Sequence, residues 1–241
     1  SAVINGCTGP VANGQITVVP NPGLTITPPN DTSCSGVAAV VSLTSNVANT
    51  TFAWTISSNP LISGATNGTG STINQVLTNN SAQIQQLTYS ITTNGPGPNN
   101  GCPGQAGTYN IWVNPVASVG FSQLNQTLCS GTSSLAVNIL SPTPNAQISW
   151  TANIPAGITG AAANGVNTIP VQSLVNNTQG PLTVVYTVNV ATQAGNCQGQ
   201  AATYSITVNP IPVLSFSQNP QVLCSGSNSV AVSLQSNLNA E

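Results

Sequence analysis

The chain has 241 residues, no Lys, Arg or His, and only two charged side chains, Asp31 and Glu241. Binding to nucleic acid or to an anionic membrane surface depends on fixed cations, so the composition excludes both functions. Two carboxylates far apart in the sequence cannot form a calcium or magnesium site, and we expect no metal or cofactor. The hydrophobic content of 39% is enough for a packed core. No apolar run approaches the roughly 20 residues of a membrane span, so we expect no membrane insertion.

Three stretches in which apolar and polar residues alternate end at a proline. Alternation with period two is typical of strands, and proline stops a strand because it has no N–H to donate to the ladder. The three prolines lie 95 residues apart. The sequence therefore predicts the final strands of three successive repeats at residues 15–18, 109–113 and 204–208, ahead of Pro20, Pro115 and Pro210.

The fixed period indicates tandem copies of one small domain. The prolines set the boundaries between the copies. We predict four segments: the C-terminal part of a preceding repeat at 1–20, complete repeats at 21–115 and 116–210, and the N-terminal part of a following repeat at 211–241.

The sequence pattern predicts short strands in almost every segment of a repeat. Stretches rich in Pro, Gly and Asn separate these segments, and no window has the 3.6-residue period of an amphipathic helix. About seven strands in roughly 95 residues predict an all-β fold of immunoglobulin-like β-sandwiches arranged head to tail. In the second repeat the predicted strands are 118–122, 134–140, 146–152, a weak pair between 158 and 174, 182–191 and 203–208.

Two tryptophans occupy matching places on the third predicted strand of their repeats, Trp54 and Trp150. In immunoglobulin-like domains a tryptophan at this place packs between the two sheets. We therefore predict that both side chains lie in the core. The alternative is an exposed ring that stacks on a ligand.

The six cysteines form two series with the same period of 95 residues. In a chain without His, regular cysteines favour a disulfide framework in an oxidising, extracellular compartment. Zinc is the competing interpretation, but zinc sites favour closely spaced pairs of cysteines, which the chain lacks. The first series is Cys7, Cys102 and Cys197, and the second, in which each cysteine precedes Ser-Gly, is Cys34, Cys129 and Cys224.

The expected topology predicts how the cysteines pair. Cys34 precedes the second strand of its repeat, whereas Cys102 lies in the hairpin between the last two strands, at the opposite end of the sandwich. A strand of about seven residues spans over 20 Å, whereas disulfide Cα atoms lie at most about 7 Å apart. We therefore predict that Cys34 bonds Cys197 across the junction between repeats. One alternative keeps each pair within its repeat, Cys34 with Cys102 and Cys129 with Cys197; free thiols or bonds between chains are the other.

The cross-junction pairing places the other partners mostly outside the chain. By the same rule Cys129 would bond a hairpin of the following copy, and Cys102 and Cys7 would bond earlier copies. Cys224 would bond a later one. Such bonds between neighbouring repeats of one chain would stiffen the array.

The residues needed for catalysis are largely missing. General acid–base chemistry uses His, Glu, Asp, Lys, Tyr or Cys, and no base is available to activate the many Ser and Thr hydroxyls. The other copies have Gln126 and Gln221 at the position of Asp31, so the repeats share no carboxylate site. We expect no enzymatic activity. The absence of Lys and Arg also suggests that trypsin-like proteases find no cleavage site, although biased composition explains it equally well.

An ordered set of short motifs resembles the PKD-like, immunoglobulin-like repeats of very large surface adhesins of gliding and biofilm-forming Bacteroidota. The chain departs from archetypal PKD domains because it lacks their Trp-Asp-Phe-Gly-Asp-Gly signature. The resemblance implies export by the type IX route and display as long extracellular filaments on the cell surface. In the first repeat the motifs are Cys34-Ser35-Gly36, Ser45-Asn46-Val47, Phe52-Ala53-Trp54, Ile62-Ser63-Gly64-Ala65, Ile73-Asn74-Gln75, Tyr89-Ser90-Ile91, Asn100-Gly101-Cys102 and Val113-Asn114-Pro115.

Together these observations predict a structural stalk segment of an extracellular adhesin or filament. The alternative is a repeated module that binds glycan or another surface. A glycan binder should present Trp or Tyr in a groove of every repeat, but Trp112 is replaced by Thr207 in the next copy. Lateral pairing of chains is a third possibility, because no lysine protects the exposed sheet edges.

Overall fold

The structure, a computed structural model, describes residues 2–11, 13–16, 18–97, 101–218 and 220–237. These residues form strands, turns and loops; they contain no helix, and so none that could cross a membrane. The strands are β1 (Val3–Ile4), β2 (Cys7–Thr8), β3 (Thr25–Thr27), β4 (Asn30–Cys34), β5 (Ala38–Thr44), β6 (Thr51–Ile56), β7 (Ile62–Ser63), β8 (Gly68–Thr69), β9 (Thr72–Val76), β10 (Thr78–Asn79), β11 (Gln85–Asn94), β12 (Gly107–Asn114), β13 (Gly120–Phe121), β14 (Gln126–Cys129), β15 (Val137–Leu140), β16 (Gln147–Asn153), β17 (Ile158–Thr159), β18 (Asn164–Val166), β19 (Thr168–Ile169), β20 (Val175–Asn176), β21 (Leu182–Ala191), β22 (Ala202–Asn209), β23 (Leu214–Phe216) and β24 (Leu234–Ser236).

The chain divides into two compact units, Ser1–Asn80 with Gln85–Val113, and Ser81–Ile84 with Asn114–Glu241. In the first unit a five-stranded sheet has the order β4-β12-β11-β6-β8, and a three-stranded sheet has the order β3-β5-β9. Buried side chains from both sheets form one hydrophobic cluster. The first unit therefore contains a β-sandwich.

The second unit repeats this arrangement. Its five-stranded sheet has the order β14-β22-β21-β16-β18, and its three-stranded sheet has the order β13-β15-β19. In the five-stranded sheet β14 runs parallel to β22, and the other pairings are antiparallel. The core again draws on both sheets.

The alternation in the sequence explains why these strands pair as a sandwich. In β5 every second residue is buried, and β11 and β21 keep the same pattern through most of ten residues. Successive side chains of a strand point to opposite faces, so one face enters the core and the other meets solvent. The prediction of an all-β, immunoglobulin-like tandem fold is confirmed.

Individual strands differ from the prediction in instructive ways. The predicted strand 182–191 has the bounds of β21, whereas β14 and β20 were not predicted. The predicted strand 15–18 is wrong: residues 15, 16 and 18 have no strand conformation, because no neighbouring strand pairs with them. Thr17, Asn100 and Glu241 lie outside the described residues.

Trp54 and Trp150 both lie in the core, with 6% and 2% of their surface exposed. Their indole Nε1 atoms donate to the backbone carbonyls of Thr66 and Thr168. The polar end of each ring is therefore satisfied inside the sandwich, as a buried tryptophan requires.

Candidate functional site

The three Cys-Ser-Gly motifs form the same tight turn. The backbone carbonyls of Cys34, Cys129 and Cys224 accept hydrogen bonds of 3.0–3.1 Å from the N–H groups three residues later. The glycine two residues after each cysteine has a φ between +81° and +90°. A type II turn needs a positive φ at this position, which glycine adopts without strain. The glycine therefore sets the direction in which the chain leaves the cysteine.

The serine of the motif attaches the turn to the neighbouring short strand. Ser35 Oγ accepts from the N–H of Asn79 at 3.0 Å, and Ser130 Oγ accepts from the N–H of Asn176 at 2.9 Å. The glycine N–H groups of the two turns also donate to carbonyls of this region, at 2.8 and 2.7 Å. Each turn is thus held by a side-chain and a backbone hydrogen bond.

A buried asparagine connects this short strand to the last strand of each repeat. The Nδ2 of Asn79 donates to the carbonyl of Val113 at 2.7 Å, and the Nδ2 of Asn176 donates to that of Val208 at 2.8 Å. Both asparagines are 6% exposed. A buried amide with these partners fixes the local geometry, because losing a partner would leave a polar group unsatisfied. The cysteine turn is therefore fixed relative to the end of the sandwich.

In the two complete repeats the other series of cysteines lies in the loop that connects the last two strands. In the second repeat the Thr192 N–H donates to the Cys197 carbonyl at 2.9 Å, and the Cys197 N–H donates to Thr192 Oγ1 at 3.0 Å. In the first repeat the Gly95 N–H donates to the Cys102 carbonyl at 2.9 Å. The backbone of each of these two cysteines is therefore fixed by the residue that directly follows the preceding strand.

The described cysteines are in two states. Cys34 and Cys197 are disulfide-bonded. Neither of the alternative pairs within a repeat is present, because Cys102 and Cys129 are free thiols. Cys7 and Cys224 are free thiols as well. The pairing of Cys34 with Cys197 stays a prediction, and so do the partners of the four other cysteines.

The buried tyrosines form the polar part of each core. Tyr89 OH donates to Gln75 Oε1 at 2.8 Å, and Tyr186 OH donates to Gln172 Oε1 at 3.0 Å. Burial raises the pKa of Tyr89 to about 12, and burial also raises the pKa of Tyr186, against the lowering effect of its bond to Gln172. These hydroxyls therefore remain protonated donors at neutral pH.

The residues that position the cysteines and the tryptophans were not predicted from the sequence. Ser35 and Ser130, like Asn79 and Asn176, carry out the same task in both repeats. A glycine packs flat against each core indole, because a Cβ on Gly68 or Gly165 would lie 2.5 Å from the Trp54 or Trp150 ring. Comparing the two copies position by position could have found them, since each residue type recurs.

The two repeats define the class of protein: a tandem array of β-sandwich domains with cysteines at fixed positions. The model of the PKD-like domain family matches residues 31–117 and again residues 126–212. The chain therefore belongs to the PKD-like domain family and contains two such domains in a row.

The solved structures to which the chain is similar include tandem-domain fragments. Three of them are mouse cadherin-23 EC22–24 (11% identity, TM-score 0.44, covering 90% of this chain and 78% of that chain), human CDH23 EC21–23 (13%, 0.40, 90% and 80%) and the titin I9–I11 tandem (8%, 0.32, 83% and 67%). No curated protein matches the chain.

Proposed function

We propose that the chain is a stalk segment of a long extracellular adhesin or surface filament, in which disulfides link adjacent repeats. The observation that carries the proposal is the tandem pair of PKD-like domains that present the same cysteine-bearing loops. Domains of this kind, together with a disulfide, favour an extracellular location. The repeats act through reach and stiffness, and they have no catalytic role and bind no cofactor.

The states of the cysteines support a bond between neighbouring repeats. Cys34 in the first repeat and Cys197 in the second each carry a disulfide bond, whereas Cys102 and Cys129, which belong to the same repeats, are free. The hydrogen bonds around both loops fix the backbone of each bonded cysteine. A covalent link between two fixed loops resists bending more strongly than a link between mobile ones.

The resemblance to Bacteroidota adhesins gives the proposal its biological setting. On this reading the chain is a type IX secretion substrate on the cell surface, and it serves in gliding motility or biofilm formation. Its partners are neighbouring repeats of the same chain and, laterally, other copies. Uncharged Asn, Gln, Ser and Thr replace ionic groups on the surface.

A second candidate is a module that binds glycan or another surface. Trp112 favours it, because this side chain is 36% exposed on the outward face of β12 and pairs across the sheet with Gln86. The position is occupied by Thr207 in the second repeat. The substitution Trp112→Thr should abolish binding to a neutral polysaccharide if this candidate is correct, and should change nothing if the repeats form a stalk.

Electron microscopy of the native full-length chain tests the stalk most directly. We expect a filament whose lobes repeat at a constant spacing, and increased bending after the disulfides are reduced. Cys34→Ser should increase bending at its own junction as reduction does, whereas Ser90→Ala, at an exposed position of a strand that pairs on both sides, is the control. A compact particle, or a filament whose bending does not respond to reduction, would contradict the proposal.

A further inference from the structure

The complete absence of Lys and Arg is unusual for a chain with this many exposed loops. Charged residues make up about a quarter of an average domain, so a repeat of this size would ordinarily carry on the order of ten cations. The present chain carries none in 241 residues. Its two acids, Asp31 and Glu241, show that anionic residues are almost as rare.

Both repeats contain loops that a protease could reach. Ala48 lies in the exposed turn between β5 and β6, and Gln179 lies in the exposed loop between β20 and β21. Exposed loop tips with small or polar residues are preferred sites of proteolytic nicking. The fold alone therefore does not protect these loops from an endoprotease.

We propose that the array evades cation-specific endoproteases through its composition, because its accessible loops lack the Lys or Arg side chain that such enzymes bind. The effect grows with the number of repeats. Every cut breaks the main chain of the stalk, so one cleavable loop per repeat would multiply the breaks in a long array. A chain with no cation offers no such site at any length.

The fold supplies a complementary protection against proteases that cut after aromatic residues. Trp54, Tyr89, Tyr109, Tyr186 and Tyr204 are all buried, with at most 6% of their surface exposed. Most of them also lie inside long paired strands. Cleavage there requires local unfolding, and its rate follows the free energy of that opening. Composition protects the loops, whereas packing protects these five aromatic sites; Trp112 and Phe216 remain exposed.

The test places one lysine in a loop or in a strand of the full chain. Ala48→Lys and Gln179→Lys are the loop variants. Ser90→Lys and Thr151→Lys are the matched controls, because both residues face outward from strands that pair on both sides. All four variants add the same charge. Each is treated with trypsin under native conditions, and the wild-type chain is treated in parallel with trypsin and with subtilisin, which has broad specificity.

We expect trypsin to cut both loop variants on the order of a thousandfold or more faster than the strand variants, because loops open at almost no cost. Subtilisin should cut the native wild-type chain in its loops, while trypsin leaves it whole. Equal resistance of the loop and strand variants would overturn the proposal, since the fold would then explain all of the protection. Complete resistance of the native chain to subtilisin would overturn it as well. Equal melting temperatures of the four variants are required for the comparison.

Discussion

The two complete repeats share their framework but differ beside the second strand of the sandwich. In the first repeat β5 pairs with β9 without interruption from Ala38 to Ser42. In the second repeat the ladder is broken between the Ser133–Ser173 bridge and the Val137–Ile169 pair. Each strand there carries one residue more than its counterpart. Pro170, which has no N–H to donate, lies in the interruption.

Gln126 occupies this interruption in the second repeat. Its Oε1 accepts from the N–H of Leu135 at 2.7 Å, and its Nε2 donates to the Leu135 carbonyl at 3.1 Å. Gln221 makes the same pair of bonds to Val230, at 2.8 and 2.7 Å. The first repeat has Asp31 at this position and no interruption to fill.

Because one repeat has Gln126 where the other has Asp31, a buried tyrosine has a different environment in each core. Tyr204 OH donates to the Leu124 carbonyl at 2.7 Å and accepts from Gln126 Nε2 at 2.8 Å. Its counterpart Tyr109 is fully buried, and its hydroxyl finds no hydrogen-bond partner among the described residues. The cysteine turns are the same in both repeats, so they tolerate variation in the strand beside them.

Alkaline pH should have the largest effect, because it acts on both repeats. Burial raises the pKa values of Tyr89, Tyr109, Tyr186 and Tyr204, and the charge of Asp31 adds to the effect on Tyr109. A folded-state pKa above the ordinary value near 10 means that stability is complete below pH 10 and is lost as the pH rises towards 12.

We therefore expect cooperative unfolding between pH 10 and pH 12, measured by circular dichroism after the free thiols have been alkylated. Below pH 10 these tyrosines should contribute no change. Stability that stays constant up to pH 12 would contradict the burial of the tyrosine hydroxyls.

Removing a core indole should have the next largest effect, and it should be equal in the two repeats. Trp54→Ala and Trp150→Ala should each lower the free energy of unfolding of their own repeat by about 3–5 kcal/mol. Trp112→Ala is the control, because Trp112 lies on the outward face and should cost far less. Hydrogen exchange measured separately in each repeat would show the loss. A cost confined to one repeat would mean that the two cores are not equivalent.

Removing the tyrosine hydroxyls should have a different effect on stability in each repeat. Tyr204→Phe breaks two hydrogen bonds and should cost about 1–2 kcal/mol. Tyr109→Phe removes a buried hydroxyl without a partner among the described residues, so it should be neutral or stabilising. Denaturant titration of both variants gives the comparison. Equal losses would show that the Tyr109 hydroxyl does have a hydrogen-bond partner.

The smallest effect on stability should come from replacing the residue that differs between the repeats, Gln126 in the second and Asp31 in the first. Gln126→Ala should cost about 1 kcal/mol, because water can replace its bonds to the exposed Leu135. Asp31→Ala should change stability by less than about 0.5 kcal/mol. The melting temperatures of the two variants measure this difference. A larger loss of stability for Asp31→Ala than for Gln126→Ala would show that Asp31, and not Gln126, supports the strand beside it.

The sequence predicts the fold well where alternation is long and fails where pairing alone defines the strand. Residues 182–191 alternate over a full strand, and the structure has the same bounds. The four residues of β14 form a strand because they lie beside β22, which no local pattern reveals. Residues 15, 16 and 18 show the converse, since alternation without a neighbouring strand produced no strand there.

Part of the candidate site could be predicted from the sequence. The period of the cysteines indicated two recurring loops, and glycine after Cys-Ser indicated a turn. No local pattern predicts the serine and asparagine that hold this turn, because their partners are more than 30 residues away in the sequence; only their recurrence in both copies marks them. The interruption beside Gln126 leaves only a faint trace, a distance from cysteine to tryptophan that is one residue longer in the second repeat.

The central claim is that a disulfide joins neighbouring repeats, and peptide mapping tests it most directly. Because trypsin has no site in the chain, the native protein would be digested with pepsin under non-reducing conditions at acidic pH, where protonated thiols do not exchange. We predict a linked peptide pair that contains Cys34 and Cys197 and separates on reduction. A linked pair that contains Cys34 and Cys102, or Cys129 and Cys197, would contradict the account.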